Sequence, residues 1–508
     1  MIRDLARLAN EAFDVLVIGG GIYGLATLRE LTARGLRAAL VDRGDFAAAT
    51  SFNSLKTVHG GIRALQHGAL PTMREFVRER RGLARLAPHL VRPLPFVVPT
   101  HRHPVRNRPL MSTFLTAYDL LASDRNDGVD PRLALPRSRT VSRDECLRLN
   151  PLIDPAGITG GAIWHDYQLH SPERLAIGLL DAAVREGAAA ANYTEARQFV
   201  QHAGAIRAVR LRDAADGGEL EVRCRSVINA AGPWAWPLLQ HAGVAPRTAT
   251  PPAMSLAMNL VVDRPASTYA VGGLADGRFL FLVPWRDRSI IGTSHHEFRA
   301  HPDDLTVRDA QIEDFLREAA MAFPRADVRQ ANIRLVHRGL LPVARGTELL
   351  KHSIIRDHAS DGIDGLITIV GVRYTTARAT AASAAEHVAA KLGHPSGTSS
   401  PTLVPIPDSV AASVARITSR EPALAAPLSA TCPVTRAEVV HAVRHEMAIH
   451  LADALLRRTG AGTGGHPGHE AVQSAAALMA EELGWTSSRV ADEIAAVAAL
   501  YPRRGEAE

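Results

Sequence analysis

Three glycines and one aspartate near the start of the chain have the spacing of a dinucleotide site. Gly19, Gly21 and Gly24 satisfy the pattern GxGxxG, and Asp42 follows 23 residues after the first of them. In such a site the glycines allow a tight turn, close approach of the backbone to a pyrophosphate and close helix–strand packing, while the carboxylate accepts from ribose hydroxyls. The pattern predicts a nucleotide cofactor without separating NAD from FAD. A glycine-rich structural turn is the alternative.

A second polar string follows directly. It runs from Thr50 to Arg63 as TSFNSLKTVHGGIR. It resembles the FAD-linked glycerol-3-phosphate dehydrogenases, within the D-amino-acid-oxidase-like flavoprotein superfamily, which carry Thr-Ser and then Ser-x-Lys-x-x-His-Gly-Gly-x-Arg here. The resemblance selects FAD as the cofactor, and an ordinary polar loop is the alternative. The residues that it assigns to the cofactor are Thr50, Ser51, Ser54, Lys56, His59, Gly60 and Gly61.

Later segments extend the resemblance over nearly the whole chain. The string NAAGPW at 229–234 is similar to a family turn that passes the adenosine side of FAD. The string GVRYTTAR at 371–378 resembles a turn that caps a helix pointing at the flavin, where a helix N-terminus would stabilise negative charge. Residues 438–460 and 479–485 are similar to the family's C-terminal helical domain. The further cofactor contacts implied are Gly232, Gly371, Thr375 and Thr376.

Arginines occupy the positions that the resemblance assigns to the substrate. Arg63 and Arg356 match family arginines that bind phosphate and substrate, and Arg373 replaces a lysine. We therefore expect these three residues to bind an anionic substrate, because arginine forms strong charge-assisted bonds with phosphate. Arg373 is a poor general base, since the pKa of arginine stays above about 12. His59 is the candidate base, with a purely structural flavin contact as the alternative.

Three positions of the same pocket depart from the family pattern. Ala64 stands in place of a tyrosine, Asn259 in place of a histidine and Leu341 in place of an arginine. Arg338 is a candidate replacement for the lost arginine. The retained cations predict that negative charge is still recognised, whereas the losses predict a substrate of changed shape.

The resemblance implies a FAD-dependent oxidation of sn-glycerol 3-phosphate, or of a close anionic polyol relative, to the ketone. The carbinol hydride would go to flavin N5, the hydroxyl proton to a base, and the electrons to a quinone or another acceptor. Two alternatives stay open: a related flavin oxidoreductase for another 2-hydroxy or amino acid, and a flavin-binding protein without catalysis. A homodimer is left open, and neither a nucleic acid nor a metal is expected.

The remaining histidines give weaker signals. His441 and His445 have the i, i+4 spacing of metal ligands on a helix, but the string HEMAIH at 445–450 is one residue too long for HExxH. A solvated or interdomain helix face is therefore the preferred interpretation. His295 and His296 are neighbours on a predicted strand and point to opposite faces, so at most one of them reaches the flavin cavity.

Two basic segments raise the question of polyanionic partners. The arginine run 77–85 lacks interleaved aromatic residues, so we expect a solvated helix face and not a nucleic-acid site. The segment 101–108 leads into an amphipathic helix that carries Leu110, Phe114, Leu115, Tyr118 and Leu121. This arrangement suits an anionic membrane surface, and the family's quinone-linked bacterial members are peripheral membrane enzymes. A helix packed on the substrate domain is the alternative.

A parallel sheet must position these residues. The strand patterns DVLVI at 14–18 and RAALVD at 37–42, with helical spacing between them, predict a βαβ unit with a right-handed crossover. Further helices are expected over 67–90, 110–122 and 171–188, the last with Ser171 as N-cap. Residues 226–235 and 365–393 each predict a strand that ends in a glycine turn, and 255–300 predicts several strands.

Composition and charge set the class of protein. The 508 residues are 46% hydrophobic and 22% charged, which excludes wholesale disorder. The net charge of +6 permits an anionic partner without selecting one. Cys146, Cys224 and Cys432 form no CxxC pair, which favours a reducing compartment. The longest apolar stretch, 15–28, is too short to span a membrane, and no signal peptide is recognised, so we expect a cytoplasmic protein, with peripheral attachment to the inner face of the cytoplasmic membrane as an option.

The expected fold is α/β, with a FAD-binding Rossmann-like domain, an interleaved α+β substrate domain and a C-terminal all-α domain. The FAD-dependent oxidoreductase region would occupy 1–400. Within it the FAD domain would comprise about 1–95, 150–235 and 340–395, and the substrate domain about 96–149 and 236–339. The Pro/Ser/Gly-rich stretch 394–408 is the expected linker to the C-terminal domain at 401–508.

Overall fold

The computed structural model describes residues 1–104, 106–244, 251–263, 267–328, 333–394 and 404–502. The α-helices of these residues, α1 to α14 in chain order, are Leu5–Asn10, Ile22–Ala33, Ile62–Gln66, Leu70–Leu86, Arg108–Leu121, Arg143–Leu149, Pro172–Arg185, Ala235–His241, Asp309–Ala322, Ala377–Lys391, Ser409–Arg420, Arg436–Glu446, His469–Leu483 and Ser487–Ala498.

The strands, β1 to β20 in chain order, are Ala12–Ile18, Ala38–Val41, Thr57–Val58, Val91–His101, Arg139–Ser142, Ile158–Leu169, Ala189–Ala191, Thr194–His202, Ala205–Asp213, Glu219–Asn229, Ala253–Asp263, Ala270–Ala275, Arg278–Trp285, Arg288–Phe298, Ile333–Arg345, Glu348–Leu349, Ile354–Asp357, Leu366–Val370, Pro427–Ser429 and Cys432–Thr435.

The first sheet carries the nucleotide elements. Its strand order is β17-β18-β10-β1-β2-β7, and β9 and β8 continue antiparallel from β10. Strand β1 lies parallel between β10 and β2, so that Ile18 pairs with both Asn229 and Val41. Six of the seven residues of β1 are buried, as expected for a parallel strand covered on both faces. The predicted βαβ unit is confirmed, and the carboxyl ends of β1, β2, β10 and β18 meet at one edge, where ligands bind in such sheets.

The second sheet is mainly antiparallel. Its order is β16-β15-β11-β14-β13-β12-β4-β6-β3, and β5 pairs with β6. Its apolar face is covered by α9, whose Phe315 has no exposed surface. The mixed α/β fold with an interleaved second domain is therefore confirmed.

The chain passes between the two sheets more often than the predicted domain segments imply. Strand β6, placed in the FAD domain by the predicted segment 150–235, pairs along its length with β4 in the second sheet. The physical reason is the aromatic layer of that sheet, since Phe96 of β4 stacks on Trp164 of β6 with ring centroids 5.1 Å apart. Ser171 precedes α7 as expected, but its hydroxyl makes no cap. It accepts instead from Arg286 Nη2 at 2.7 Å.

The C-terminal region is mainly helical, with two additions that the sequence did not predict. One is the short antiparallel pair β19–β20, so the region is not all-α. The other is a π-helical turn, Asp453–Arg458. Apolar residues of the region share a cluster with Phe52 and Trp285 of the preceding part of the chain. Of the predicted linker 394–408, residues 395–403 lie outside the described residues.

The arginine run on α4 is only in part the expected solvated face, because Arg78 is exposed whereas Arg80 is buried. Arg80 has no exposed side-chain surface and donates through Nη1 to Oδ1 of Asp166 at 2.5 Å. Glu79 is also buried and accepts from Arg378 Nη2 at 2.6 Å. The helix packs this face against β6 and α10, and ion pairing makes the burial of these charges tolerable.

Candidate active site

A cavity of about 910 Å³ opens at the edge of the first sheet and continues to the second. Its walls are the glycine turn after β1, the loop after β2, the segment 47–59, and the turns after β10 and β18. Strands β11, β14 and β15 close it from the other side. This volume is at the upper end of the range for ligand cavities, which suits a ligand as long as a dinucleotide.

The glycine turn has the geometry that the sequence predicts. A side chain at Gly24 would place Cβ 1.8 Å from the carbonyl oxygen of Gly19, and one at Gly19, whose φ is +106°, would meet the Ala230 carbonyl oxygen at 2.6 Å. At Gly21, by contrast, Cβ would meet only Ser51 Oγ, at 3.3 Å. Gly21 precedes the first residue of α2, so the partial positive charge of that helix end faces the cavity.

Asp42 lines the cavity at the end of β2 and is held by the backbone around it. Its Oδ2 accepts from the amide of Gly20 at 2.5 Å and its Oδ1 from the amide of Gly44 at 2.7 Å. Burial raises the pKa of this carboxyl to about 6, because desolvation disfavours the charged form more than the two amides favour it. Each oxygen has a further lone pair for a ribose hydroxyl.

The string after residue 49 forms the long wall of the cavity. Thr50, Ser51, Ser54 and Lys56 all line it. The Ser51 hydroxyl accepts from the amide of Ile22 at 2.9 Å and so ties this wall to the start of α2. Lys56 is 2% exposed, and its ammonium lies 5.1 Å and 4.9 Å from the ring centroids of Phe52 and Trp285. Burial lowers its pKa to about 8.

His59 lines the cavity beside a buried carboxylate that the sequence analysis missed. Its Nδ1 lies 3.7 Å from Oδ2 of Asp166, and its amide donates to the Thr375 hydroxyl at 3.2 Å. Arg80 and the amide of Gly60, at 2.7 Å, both donate to Oδ1 of Asp166. Although burial opposes it, hydrogen bonding to His59 and the charge of Arg80 hold the pKa of Asp166 below its ordinary value. The sequence signal that could have identified Asp166 is the position of an acidic residue inside the largely apolar strand β6.

Gly60 and Gly61 do not have the predicted role. Neither lines the cavity. A side chain at Gly60 would meet Arg80 Nη1 at 2.1 Å, and one at Gly61, whose φ is +76°, would meet Met73 Cα at 2.9 Å. These glycines therefore allow the turn to pack against α4, and the close approach to a flavin is not what requires them.

The turns after β10 and β18 complete the cofactor wall. Gly232, Gly371 and Thr375 line the cavity, whereas the adjacent Thr376 does not, since its hydroxyl donates to the Arg373 carbonyl at 3.4 Å. A side chain at Gly371 would meet the Tyr23 ring at 2.2 Å. The Tyr23 hydroxyl accepts from the amides of Val372 and Arg373 at 3.0 Å and 3.1 Å, and so holds this turn against α2.

Of the three arginines predicted to bind substrate, the structure brings only Arg373 to the cavity. Its guanidinium donates to the carbonyl of Lys351 and lies 5.6 Å from the Phe76 ring centroid. Arg356 instead donates to both carboxylate oxygens of Asp361, at 2.8 Å and 2.7 Å, on the far side of β17. Its place beside a buried acid, and not in the cavity, corrects the prediction.

Arg63 also does not line the cavity. Its guanidinium lies 5.7 Å from the ring centroid of Phe279. Its side chain is exposed. Because Arg63, on α3, is not part of the cavity lining, the prediction that it contacts the ligand is not supported by this geometry.

The departures from the family pattern fall on both sides of the cavity wall. Leu341 and Asn259 line it, and Asn259 Oδ1 accepts from the Thr293 hydroxyl at 2.8 Å. Ala64 packs among apolar side chains outside it. Arg338 is exposed and three residues from Leu341 on the same strand, which places the two on opposite faces. The predicted compensation of Leu341 by Arg338 is therefore wrong.

An ionic contact closes the cavity at its adenosine end. Arg43 pairs with Asp303, and the indole Nε1 of Trp234 donates to the same carboxylate at 2.8 Å. The Arg43 guanidinium lies 4.6 Å from the Trp234 ring centroid. These residues come from the loop after β2, the turn after β10 and the segment after β14, so their spacing in the sequence carries no signal of the contact.

The other histidines lie outside the cavity. His295 and His296 bond to Ser255 and Ser294 at 3.3 Å and 3.2 Å, and neither lines the cavity, which agrees with the expectation that at most one of them would reach it. His441 bonds to Ser413 at 2.9 Å. Over the described ranges, no cluster of three or more His, Cys, Asp or Glu side chains could hold a metal ion.

The helix after the basic segment is partly packed and partly exposed. Leu115 and Tyr118 of α5 are buried against the second sheet, while Leu110 and Leu120 are 45% and 75% exposed. Val105 of the basic segment lies outside the described residues. In the part of the chain that the structure describes, the search for a helix long and apolar enough to cross a bilayer finds none.

Comparison with known proteins gives consistent matches. Residues 14–391 match the family model described as FAD dependent oxidoreductase, and residues 369–490 match the C-terminal domain of alpha-glycerophosphate oxidase. The chain is similar to a glycerol-3-phosphate dehydrogenase of Synechocystis sp., with 28% identity over 97% of each chain. It is also similar to one of Mycobacterium leprae, with 29% identity over 99% of this chain and 89% of the relative.

A solved structure shares the fold. The glycerol-3-phosphate dehydrogenase from Bacillus halodurans, in complex with FAD, superposes with a TM-score of 0.74 over 98% of this chain and 97% of that chain, at 21% identity. The shared region includes the C-terminal helices as well as the two sheets.

Proposed function

The chain belongs to the family of FAD-dependent oxidoreductases, and from this we propose that it oxidises sn-glycerol 3-phosphate, or a close anionic polyol relative, to the ketone. The observation that carries the proposal is the match along almost the full length to relatives named glycerol-3-phosphate dehydrogenase, together with the C-terminal domain shared with alpha-glycerophosphate oxidase. Family membership by itself supports the cofactor, and the whole-length match supports the substrate.

The residues of the cavity fit FAD. Gly21 and the start of α2 would hold the pyrophosphate, Asp42 the adenosine ribose, and Thr50 and Ser51 the neighbouring oxygens. The space beside Gly21, where a Cβ would meet only Ser51, is the observation that supports this fit. Bound FAD supplies the acceptor for the hydride that leaves the carbinol carbon.

His59, oriented by Asp166, would accept the hydroxyl proton of the substrate. As the carbinol C–H bond breaks and its electron pair leaves with the hydrogen, the hydroxyl proton must go to a base, which leaves the carbonyl of the product. His59 lines the cavity, and Asp166 at 3.7 Å orients its ring. A base held by a third group in this way is a recurring arrangement in catalysis.

Arg373 would bind the anionic group of the substrate. Of the three arginines that the resemblance assigns to the substrate, only Arg373 lines the cavity, and its guanidinium donates to the carbonyl of Lys351 in the free protein. Burial lowers its pKa, yet guanidinium remains charged at all physiological pH values. A fork of N–H donors in a desolvated site favours a phosphate or carboxylate group.

Leu341 supports a second candidate function. It lines the cavity where the resembling family has an arginine, so one side of the substrate meets an apolar surface. A related oxidation of a 2-hydroxy acid or an amino acid, with one carboxylate bound at Arg373, is consistent with this loss of one family arginine.

The electron acceptor, the location and the assembly are part of the same proposal. A quinone or a comparable acceptor would take the electrons. The protein would be cytoplasmic and attach peripherally to an anionic membrane surface through the basic segment before α5, and a homodimer is compatible with this. The exposed Leu110 and Leu120 support the attachment.

The test is anaerobic reduction of the bound flavin, followed by its visible absorbance, with a panel of polyol phosphates, 2-hydroxy acids and amines. The proposal expects glycerol 3-phosphate, or another polyol phosphate, to reduce the flavin fastest. Fastest reduction by a neutral substrate contradicts it, and fastest reduction by a 2-hydroxy or amino acid selects the second candidate. A flavin that no member of the panel reduces favours binding without catalysis.

A further inference from the structure

We propose that Arg457 and Arg458, in the C-terminal region, are positioning residues of the cofactor site, because they hold the loop at 42–47 in place through Asp45. The inference rests on the cofactor of the family and is independent of the proposed substrate. Through these two arginines the C-terminal region would contribute to the retention of FAD.

Asp45 is the point of contact. It lies in the loop that follows β2 and lines the cavity, yet its carboxylate has no exposed surface. Arg458 donates to it in a fork, Nη1 to Oδ2 at 2.9 Å and Nη2 to Oδ1 at 2.7 Å. Arg457 donates to Oδ2 through Nε, and Asn192 to Oδ1 at 3.0 Å. Such bidentate pairs fix orientation as well as distance.

The π-helical turn explains how two consecutive arginines reach one carboxylate. Arg457 and Arg458 are the last two residues of that turn, and π-helical turns often occur at functional sites. Arg457 also donates to Asp453 Oδ1 at 2.6 Å, and Arg458 Nε donates to the carbonyl of Glu446 at 2.9 Å. Both guanidinium groups are thereby held from the C-terminal side before they meet Asp45.

The loop transmits this contact to the cofactor wall. The amide of Ala47 donates to the carbonyl of Gly20 at 2.8 Å, and Asp42 accepts from the amide of Gly20 at 2.5 Å. Asp45 lies between these two anchors. A shift of Asp45 would therefore move the ribose carboxylate and loosen the turn expected to hold the pyrophosphate.

A nearby ion pair provides the matched control. Arg174 of α7 donates to both oxygens of Glu446 of α12, at 2.7 Å and 2.8 Å. This pair joins the same two parts of the chain with the same fork geometry, and neither residue lines the cavity. Arg174 also donates to the backbone carbonyl of Arg458 at 3.2 Å, but it does not touch the guanidinium that holds Asp45. Loss of this pair should weaken the junction between the regions without moving the cofactor loop.

The experiment measures release of FAD from the holoenzyme after dilution, by the rise in flavin fluorescence, alongside the thermal midpoint Tm. We expect Arg458→Met and Arg457→Met to release FAD at least tenfold faster than the wild type, and Arg458→Lys, which keeps the charge and loses the fork, to release it three- to tenfold faster. Arg174→Met should lower Tm and leave the release rate within twofold. The visible spectrum of FAD still bound should stay that of the wild type, because Asp45 borders the ribose end.

A purely structural role gives a different result. If Arg458→Met lowers Tm as much as Arg174→Met does and both release FAD equally fast, or both at the wild-type rate, the proposal is wrong. Should Arg458→Met fail to fold, Arg458→Lys decides by the same criterion. The assay needs no substrate, so failure of the proposed substrate would appear in the reduction panel and not here.

Discussion

Arg80 Nη1 lies 2.5 Å from Oδ1 of Asp166, and the other oxygen of that carboxylate faces His59. Arg80 has no exposed side-chain surface, so this ion pair is fixed inside the protein. A buried carboxylate with a permanent cationic partner stays ionised, and an ionised acid beside an imidazole favours the ring orientation in which Nδ1 faces the acid. The pair thus connects a buried arginine on α4 to His59, the proposed proton acceptor in the cavity.

His59→Gln should lower kcat by at least one hundredfold and change KM less than threefold, with FAD still bound. The reason is that a positioned general base typically contributes about 10²- to 10⁴-fold. Steady-state kinetics with the best substrate of the reduction panel measure this. An unchanged kcat with a shifted flavin spectrum would show that His59 is a flavin contact alone.

Gly21→Val should yield folded protein without FAD. The fold has room for the Cβ, whose nearest neighbour would be Ser51 Oγ at 3.3 Å, but the added methyl groups would occupy the space expected for the pyrophosphate. The ratio of flavin to protein absorbance measures the effect, and circular dichroism checks the fold. Gly21→Ala is the graded control, expected to weaken FAD binding less. Full flavin content in Gly21→Val would rule out this position for the pyrophosphate.

FAD should bind more weakly as the pH falls below about 6. Burial raises the pKa of Asp42 from 3.8 to about 6, so in the free protein its contribution to the free energy of unfolding is present below pH 4 and is lost as the pH rises through 6. Ribose hydroxyls donate to the ionised carboxylate, so binding favours the charged form. Between pH 6 and pH 5 we expect Kd to rise by up to about fivefold. Asp42→Asn should remove this dependence, and an unchanged pH profile in that variant would assign it to another group.

Arg373→Ala and Arg356→Ala should have opposite effects. The first should raise KM at least tenfold with FAD retained, since a charge-assisted bond to an anion contributes about 1.5–3 kcal/mol. The second should leave KM within twofold and lower Tm, because it leaves the buried Asp361 short of a partner, a loss of about 3 kcal/mol. Kinetics and thermal unfolding of both variants decide between them. A raised KM in Arg356→Ala alone would return substrate binding to Arg356.

Vesicles that contain anionic lipid should bind the protein at low salt and release it at high salt. Arg102, Arg106 and Arg108 are exposed beside Leu110, and each basic residue near such a surface contributes about 1 kcal/mol that salt screens. Sedimentation with vesicles measures this. Arg102→Gln with Arg106→Gln should reduce binding, whereas Arg132→Gln with Arg317→Gln removes the same charge elsewhere and should not. Equal loss in both pairs would indicate a non-specific effect of net charge.

Local patterns predicted the nucleotide elements well. The glycine turn, Asp42 and the strand pair β1–β2 depend on contacts within residues 12–42, and the structure confirms their arrangement. The resemblance alone placed Arg356 in the substrate pocket, where similarity of residue type could not show that Asp361, five residues further on, binds it. The predicted flavin contacts of Gly60 and Gly61 were wrong for a related reason, because the tertiary structure brings Arg80 against this turn.

Contacts between distant segments could not be predicted from the sequence. Asp166 lies opposite Leu94 in a sheet whose strand order no local pattern gives. The contact of Arg43 with Asp303 joins residues 260 apart, and the strand pair β19–β20 is too short to leave a period-two pattern. Burial of a charged residue within an apolar run, as at Asp166, is the signal that sequence analysis could have used.

The contact between Asp45 and Arg458 joins residues that are 413 positions apart. A ribosome adds residues one at a time from the N-terminus. The glycine turn therefore leaves the ribosome long before Arg458 is available to bind Asp45. Cofactor capture on the finished geometry must therefore wait until almost the whole polypeptide has been synthesised. A chain that ended before Arg457 would therefore keep the glycine turn and lack this hold on the neighbouring loop.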